Sequence, residues 1–244
     1  MITRISGRLA GLVFALVAST AAAQEPPLTL YEAHAIRVVT GANLTGRYEE
    51  GDTFRIGVLV NTSIRPTTVA TARAGAEIEV PYYQNAVLDD LYEVRLPFDP
   101  AFVGPWTLIV TRGAETATTE AAGLPALFPV PFLEGLDVAP VDGRAVLSWT
   151  WPDVSAAQAL GLRVEADVRV MQDDNYDDFL IRYGVHPSLI PPGAPGDTYE
   201  VTIPDGLEGD KLFLFRVHLS FYGADGRLVA QSITFAPRLY ATPL

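Results

Sequence analysis

The residues with the densest potential chemistry in this sequence stand in one run, Asp173-Asp174-Asn175-Tyr176-Asp177-Asp178. Oxygen donors at Asp173, Asn175 and Asp177 have the alternate spacing that begins a calcium loop. The rest of that pattern is missing. Asp178 stands in place of the turn glycine, and Gly184 stands where a bidentate glutamate belongs. The run therefore reads as a solvated acidic loop that holds no ion. The three histidines, His34, His186 and His218, share no short spacing of the H-x-x-x-H kind, so a histidine metal site would have to be assembled from distant segments. His34 lies in the entry segment, His186 in a loop, and His218 on the expected outward face of a strand. The chain has no cysteine, which excludes thiolate-held zinc, iron–sulfur clusters and cysteine nucleophiles. Nucleophilic hydrolysis needs a nucleophile within reach of a base. No G-x-S-x-G is present, and Ser148 reads as a sheet-face serine beside Trp149. No glycine-rich loop precedes a helix, so phosphate cradling has no support either. The expectation is a protein without catalytic residues, cofactor or metal.

Aromatic rings offer a different chemistry. Exposed rings stack on sugars or anchor protein partners. Trp151 shares a face with Leu147 and Trp149 but sits at its strand's end, where it could cap the core or present its ring. Pro81 is followed by Tyr82 and Tyr83, whose rings must point to opposite faces of an extended chain, leaving at least one for solvent. Trp151, Tyr82 and Tyr83 are the candidate ligand-binding residues.

The elements that would position these residues are short strands. Apolar runs of four to eight residues alternate with polar ones, with Gly, Pro, Asn and Asp between them. Phe54, Ile56, Val58 and Val60 alternate with Arg55, Gly57, Leu59 and Asn61. Tyr92, Val94, Leu96 and Phe98 alternate with Glu93, Arg95 and Pro97. Trp106, Leu108 and Val110 alternate with Thr107, Ile109 and Thr111. Further strands are expected at 36–40, 67–73, 76–80 and 116–121, then at 144–151, 162–170, 179–185, 198–203, 211–219 and 228–235. Each pattern buries one face and wets the other. Only 155–160 looks helical, and it is too short to carry weight. Three prolines, Pro125, Pro129 and Pro131, stiffen the segment 123–131, which cannot sustain a strand ladder and is expected to be an extended connector. The predicted architecture is all-β: a β-sandwich over 28–122, the connector 123–131, and a second β-sandwich over 132–240.

Composition adds location. Arg4 and Arg8 precede the apolar run Leu9–Val17, and Ala21-Ala22-Ala23 follows. This is the charged start, short apolar core and small-residue site of a secretory leader, with cleavage expected after Ala23. The apolar run is shorter than the ~20 residues that span a bilayer. The formal charge is −12, and Lys211 is the only lysine. An acidic surface argues against nucleic acid and anionic membranes. An exported chain without disulfides must stand on its packed cores alone.

Three segments of the second half carry a family likeness. LSWTWP (147–152), TYEVTIPDGLEGDKLFLFRVHLSF (198–221) and GADGRLVAQS (223–232) stand in the order of the B strand, the E–F region and the F–G hairpin of a fibronectin type III domain. The resemblance covers about 132–237 and implies a core tryptophan at Trp149. The tyrosine of that family's E–F corner is replaced by Phe213, so its hydrogen bond is lost. The first half resembles a generic bacterial immunoglobulin-like sandwich through GPWTLIVT (104–111). Together these readings predict an exported, non-catalytic binding or spacer module of the bacterial cell envelope, periplasmic or extracellular, with a protein or glycan partner. The alternatives are a carbohydrate-binding accessory protein that uses its exposed aromatics and an enzyme with its site at the domain junction.

Overall fold

The computed structural model describes residues 27–42, 50–61, 68–73, 76–86, 89–142, 144–172, 190–203, 211–236 and 239–241. The acidic run 173–178, with Asp173, Asn175 and Asp177, lies outside the described residues, as do His186, the strand expected at 179–185 and the leader.

The chain is all-β and forms β-sandwich layers. The first half contributes β1 (Leu30–Thr40), β2 (Gly51–Asn61), β3 (Thr68–Arg73), β4 (Ala76–Glu79), β5 (Tyr82–Ala86), β6 (Asp89–Pro97), β7 (Trp106–Arg112) and β8 (Glu115–Ala121). The second contributes β9 (Glu134–Val141), β10 (Arg144–Thr150), the single-turn helix α1 (Ser155–Ala159), β11 (Arg163–Gln172), β12 (Thr198–Thr202), β13 (Lys211–Tyr222), β14 (Leu228–Phe235) and β15 (Leu239–Ala241). Alternation locates most of these strands to within a few residues. Strand β5 has no such signal, because Tyr-Tyr-Gln-Asn-Ala does not alternate; it forms by pairing with β6.

The two halves are joined by backbone. One large sheet runs β11-β13-β14-β1-β2-β6-β5, with β15 beside β13. Its seam is a parallel ladder, Arg37 to Thr40 of β1 against Ala230 to Ile233 of β14. Two small sheets, β4-β3-β7-β8 and β12-β10-β9, cover the apolar face side by side. Under the first lie Phe54, Ile56, Val58, Trp106 and Leu108. Under the second lie Leu147, Trp149, Phe213, Phe215 and Phe221. The register puts Leu219, Ser232, Val39 and Asp52 in one cross-strand row, so both cores fill the same face of the shared sheet. Trp149 is buried, as the fibronectin-like likeness implies, and Phe213 is buried in the same core.

The connector is itself part of the packing. Leu124, Phe128 and Val130 are buried in the second core. Polar groups fasten it as well: Ser232 donates its hydroxyl to the Pro131 carbonyl at 2.6 Å, and Arg37 donates Nη1 to the Phe128 carbonyl at 2.9 Å. The same Arg37 forms a two-pronged pair with Asp52, at 3.0 Å from Nε and 2.6 Å from Nη2, and lies over the Phe98 ring. One guanidinium thus ties β1, β2 and the connector together at the seam. Bidentate charged bonds of this kind are geometrically demanding, which fixes how the two halves abut.

Candidate functional site

The opposite face of the shared sheet departs from a simple wet surface. Glu93, Arg216, His218 and Ser220 are all buried there. His218, expected on an outward and solvated face, is only 3% exposed, and neither ring nitrogen has a hydrogen-bond partner. Burial, reinforced by Arg169 and Arg216, pushes its pKa well below the ordinary imidazole range. The face is wide because two half-sheets merge. Glu93 on β6 and Arg216, His218 and Ser220 on β13 each stand one strand in from an edge of the shared sheet.

A cleft of about 540 Å³ opens on this face where the halves part. The position follows from the ladder. β1 pairs with β14 only from Arg37 onward, so the first part of β1 and the β13–β14 turn diverge. His34, Arg55 and Glu93 form one wall, Gln231 and Leu228 the other, and Tyr31 is also part of the lining. The turn itself is the one expected at 223–227. Gly226 takes a φ of +77°, where side chains are strained, and Gly223 N–H donates to the Arg227 carbonyl at 2.8 Å.

Within the cleft, His34 Nε2 and Glu93 Oε2 are 3.2 Å apart, and Arg95 Nε donates to Glu93 Oε1 at 2.7 Å. Gly57 makes the first contact possible. A Cβ there would stand 2.9 Å from the His34 ring and 2.4 Å from the Tyr92 carbonyl. Burial alone would raise the Glu93 carboxyl, but the bonds from His34 and Arg95 outweigh it and hold the pKa down at about 2.

Arg55 is held differently. It stands directly across from Arg95 in the β2–β6 ladder, and like charges in that position repel. Its buried Nε has no partner, and no described residue accepts a hydrogen bond from the rest of the guanidinium. Burial first, and then Arg95, lower its pKa, with Glu93 opposing. A second hollow, of about 490 Å³, lies by the other end of the seam near Thr40, Glu50 and Phe132. Asp52 in its wall is already engaged by Arg37.

The aromatic candidates fall elsewhere. Trp151 is a correction: its ring is 2% exposed and packs edge-on to Trp149 at 5.8 Å. The loop at 193–197 folds over it. Gly196 N–H donates to the Trp151 carbonyl, and a Cβ on Gly193 would come within 2.6 Å of the indole. Sequence spacing could not foresee a loop closing on the strand's end from more than 40 residues away. Tyr82 and Tyr83 are partly exposed, at 38% and 46%. Tyr82 leans edge-on against Tyr92. Tyr83 accepts from Arg95 at 2.8 Å and lies beneath its guanidinium. Neither contributes to the cleft lining. His34, Arg55 and Glu93 escaped the reading as site residues because each belongs to a different strand and looks like an ordinary wet-face residue within its own.

Among the described residues, no group of three or more His, Asp or Glu is placed to hold a metal ion. No helix among them is long and apolar enough to cross a membrane. No protein-family model matches the chain, and no curated protein matches it in sequence. Solved structures similar to it include titin domains A168–A170, at 14% identity over 90% of this chain and 68% of that one, with a TM-score of 0.29. A Bacteroides uniformis protein assigned provisionally to carbohydrate binding matches at 10% identity over 84% of this chain and 97% of its own, with a TM-score of 0.33. Bovine butyrophilin matches at 11% identity over 86% and 98%, with a TM-score of 0.27. At these scores nothing of those proteins' binding behaviour passes to this chain.

Proposed function

We propose that the protein is an exported, non-catalytic module of the bacterial cell envelope that binds its ligand in the cleft between the two halves of the shared sheet. The observation that carries this reading is the cleft itself, a concavity of ligand size with convergent polar side chains already held in place. The same residues favour binding over turnover. Among the described residues, no serine, threonine or cysteine lines the cleft. Its buried carboxylate, Glu93, is fastened on both oxygens and stays ionised to about pH 2, so it has no proton to donate at neutral pH. Glu32, the other carboxylate in the lining, is exposed to solvent. Export is supported by the leader pattern of residues 1–23.

The test is a paired glycan and peptide array, probed with the mature chain and with Ala122→Trp, which places a bulky ring in the lining of the cleft. Ligands retained by the first and lost by the second support the reading. Ligands bound equally by both, or none at all, overturn it. N-terminal sequencing of the protein exported by its native host should begin at Gln24.

A further inference from the structure

The cleft contains one guanidinium that no described residue accepts a hydrogen bond from. Arg95 is neutralised by Glu93 and hydrogen-bonded to Tyr83. Arg227 points its Nη1 at the Glu120 carbonyl and lies 3.8 Å from Asp225. Arg55 alone among these has no acceptor, while facing a second arginine. In a chain of formal charge −12, a guanidinium that faces another arginine and is hydrogen-bonded to no carboxylate is a costly arrangement, only partly offset by the charge of Glu93 nearby. An arriving anion relieves it. The guanidinium fork matches a carboxylate in two parallel bonds. A single carboxylate also matches the charge: a phosphate dianion would bring a second negative charge close to Glu93.

The rest of the lining describes what carries that carboxylate. Ile36, Val38 and Leu228 provide apolar walls. Gln231 donates its Nε2 to Ser220 at 2.8 Å and adds a polar amide to the lining. Tyr31, 52% exposed, offers a ring of the kind that stacks on a sugar face. We propose that the cleft takes a sugar acid, its carboxylate on Arg55, its hydroxyls on Gln231 and its ring against Tyr31. This rests on the cleft being the binding site.

Calorimetric titration of the mature chain with D-glucuronate, D-glucose and hexanoate separates the parts of the proposal. Glucuronate is expected to bind at least tenfold more tightly than glucose, which lacks the carboxylate, and than hexanoate, which lacks the hydroxyls. Arg55→Gln should weaken glucuronate at least tenfold while leaving the melting temperature unchanged or higher, because it removes a repelling charge. Tyr31→Ala should weaken it several-fold. Glucose binding as tightly as glucuronate, or full affinity in Arg55→Gln, would overturn the assignment of the acid; hexanoate matching glucuronate would overturn that of the sugar. If Arg55→Gln does not fold, Arg55→Lys keeps the charge and removes the fork, and unchanged glucuronate affinity in it would overturn the assignment. A neutral array ligand blocked by Ala122→Trp would defeat the acid preference and leave the cleft as the binding site. Array binding indifferent to Ala122→Trp would defeat both.

Discussion

The two faces of the shared sheet are built on opposite terms. The apolar face carries two cores under two small sheets, and nearly every inward side chain there is closely surrounded by apolar neighbours. The polar face buries Glu93, Arg216, His218 and Ser220, sets Arg55 opposite Arg95 and leaves His218 without a hydrogen bond. Buried polar groups without partners cost stability. The difference teaches where to look for function in a protein without a sequence motif. One face holds the fold together, and the other bears electrostatic costs. Departures from local consistency of this kind are expected at functional sites.

The largest effect should come from the apolar face. Trp149→Ala and Trp151→Ala should each destabilise the chain by ~3–5 kcal/mol, the range for deleting a large buried aromatic, because both rings are fully enclosed. Urea unfolding measures both. A small loss at Trp151 alone would mean that its covering loop does not close in solution.

Acid should act on the polar face in two stages. His218 has a depressed folded pKa, so the unfolded chain takes up its proton first. Stability from this group is intact above about pH 6.5, the ordinary imidazole value, and declines below it. Glu93 is depressed from 4.5 to about 2. Its contribution, ~3 kcal/mol at neutral pH, is intact above 4.5 and is lost as the pH falls toward 2. Urea midpoints from pH 8 to pH 3 should therefore fall in both intervals, and His218→Leu should remove the first decline. A midpoint flat between pH 7 and 5 in the unaltered chain would contradict the buried neutral histidine.

The seam gives a smaller effect. Arg37→Ala removes the pair with Asp52, the bond to the Phe128 carbonyl and the contact over Phe98, and should cost ~1–3 kcal/mol. Its unfolding should remain a single transition, because the β1–β14 ladder still joins the cores. Two separated transitions would show that the arginine, and not the ladder, makes the halves one unit.

The smallest effect has the opposite sign. Arg55→Gln should leave stability unchanged or raise it by up to about 1 kcal/mol, the scale of a like-charge cross-strand pair. Measured beside Trp149→Ala, it would contrast the two faces directly: one substitution strips the fold, while the other improves it and harms only binding. A loss of more than about 1 kcal/mol at Arg55 would make it a structural residue.

The strands themselves were legible in the sequence. Period-two alternation marks β2, β6, β7, β10 and β13, and the Gly223–Arg227 turn chemistry closes the last hairpin, because strand geometry and left-handed turns depend on residues close in sequence. Trp149's burial follows from the same local pattern. The prolines of 123–131 forbid a strand ladder there, yet they say nothing of Phe128 and Val130 entering the second core. The cleft was not legible at all. His34 and Glu93 are 59 residues apart, and the wall that Gln231 adds comes from the far end of the chain. They meet only because β1 lies against β14 across the seam and then diverges from it. Backbone pairing between distant strands carries no residue code of its own, since every extended segment offers the same N–H and C=O groups. Alternation could therefore say that Arg55, Glu93 and His218 turn away from a core. Only the merging of two sheets into one gathered them along a single face, with Glu93 and His218 buried and Arg55 half-buried.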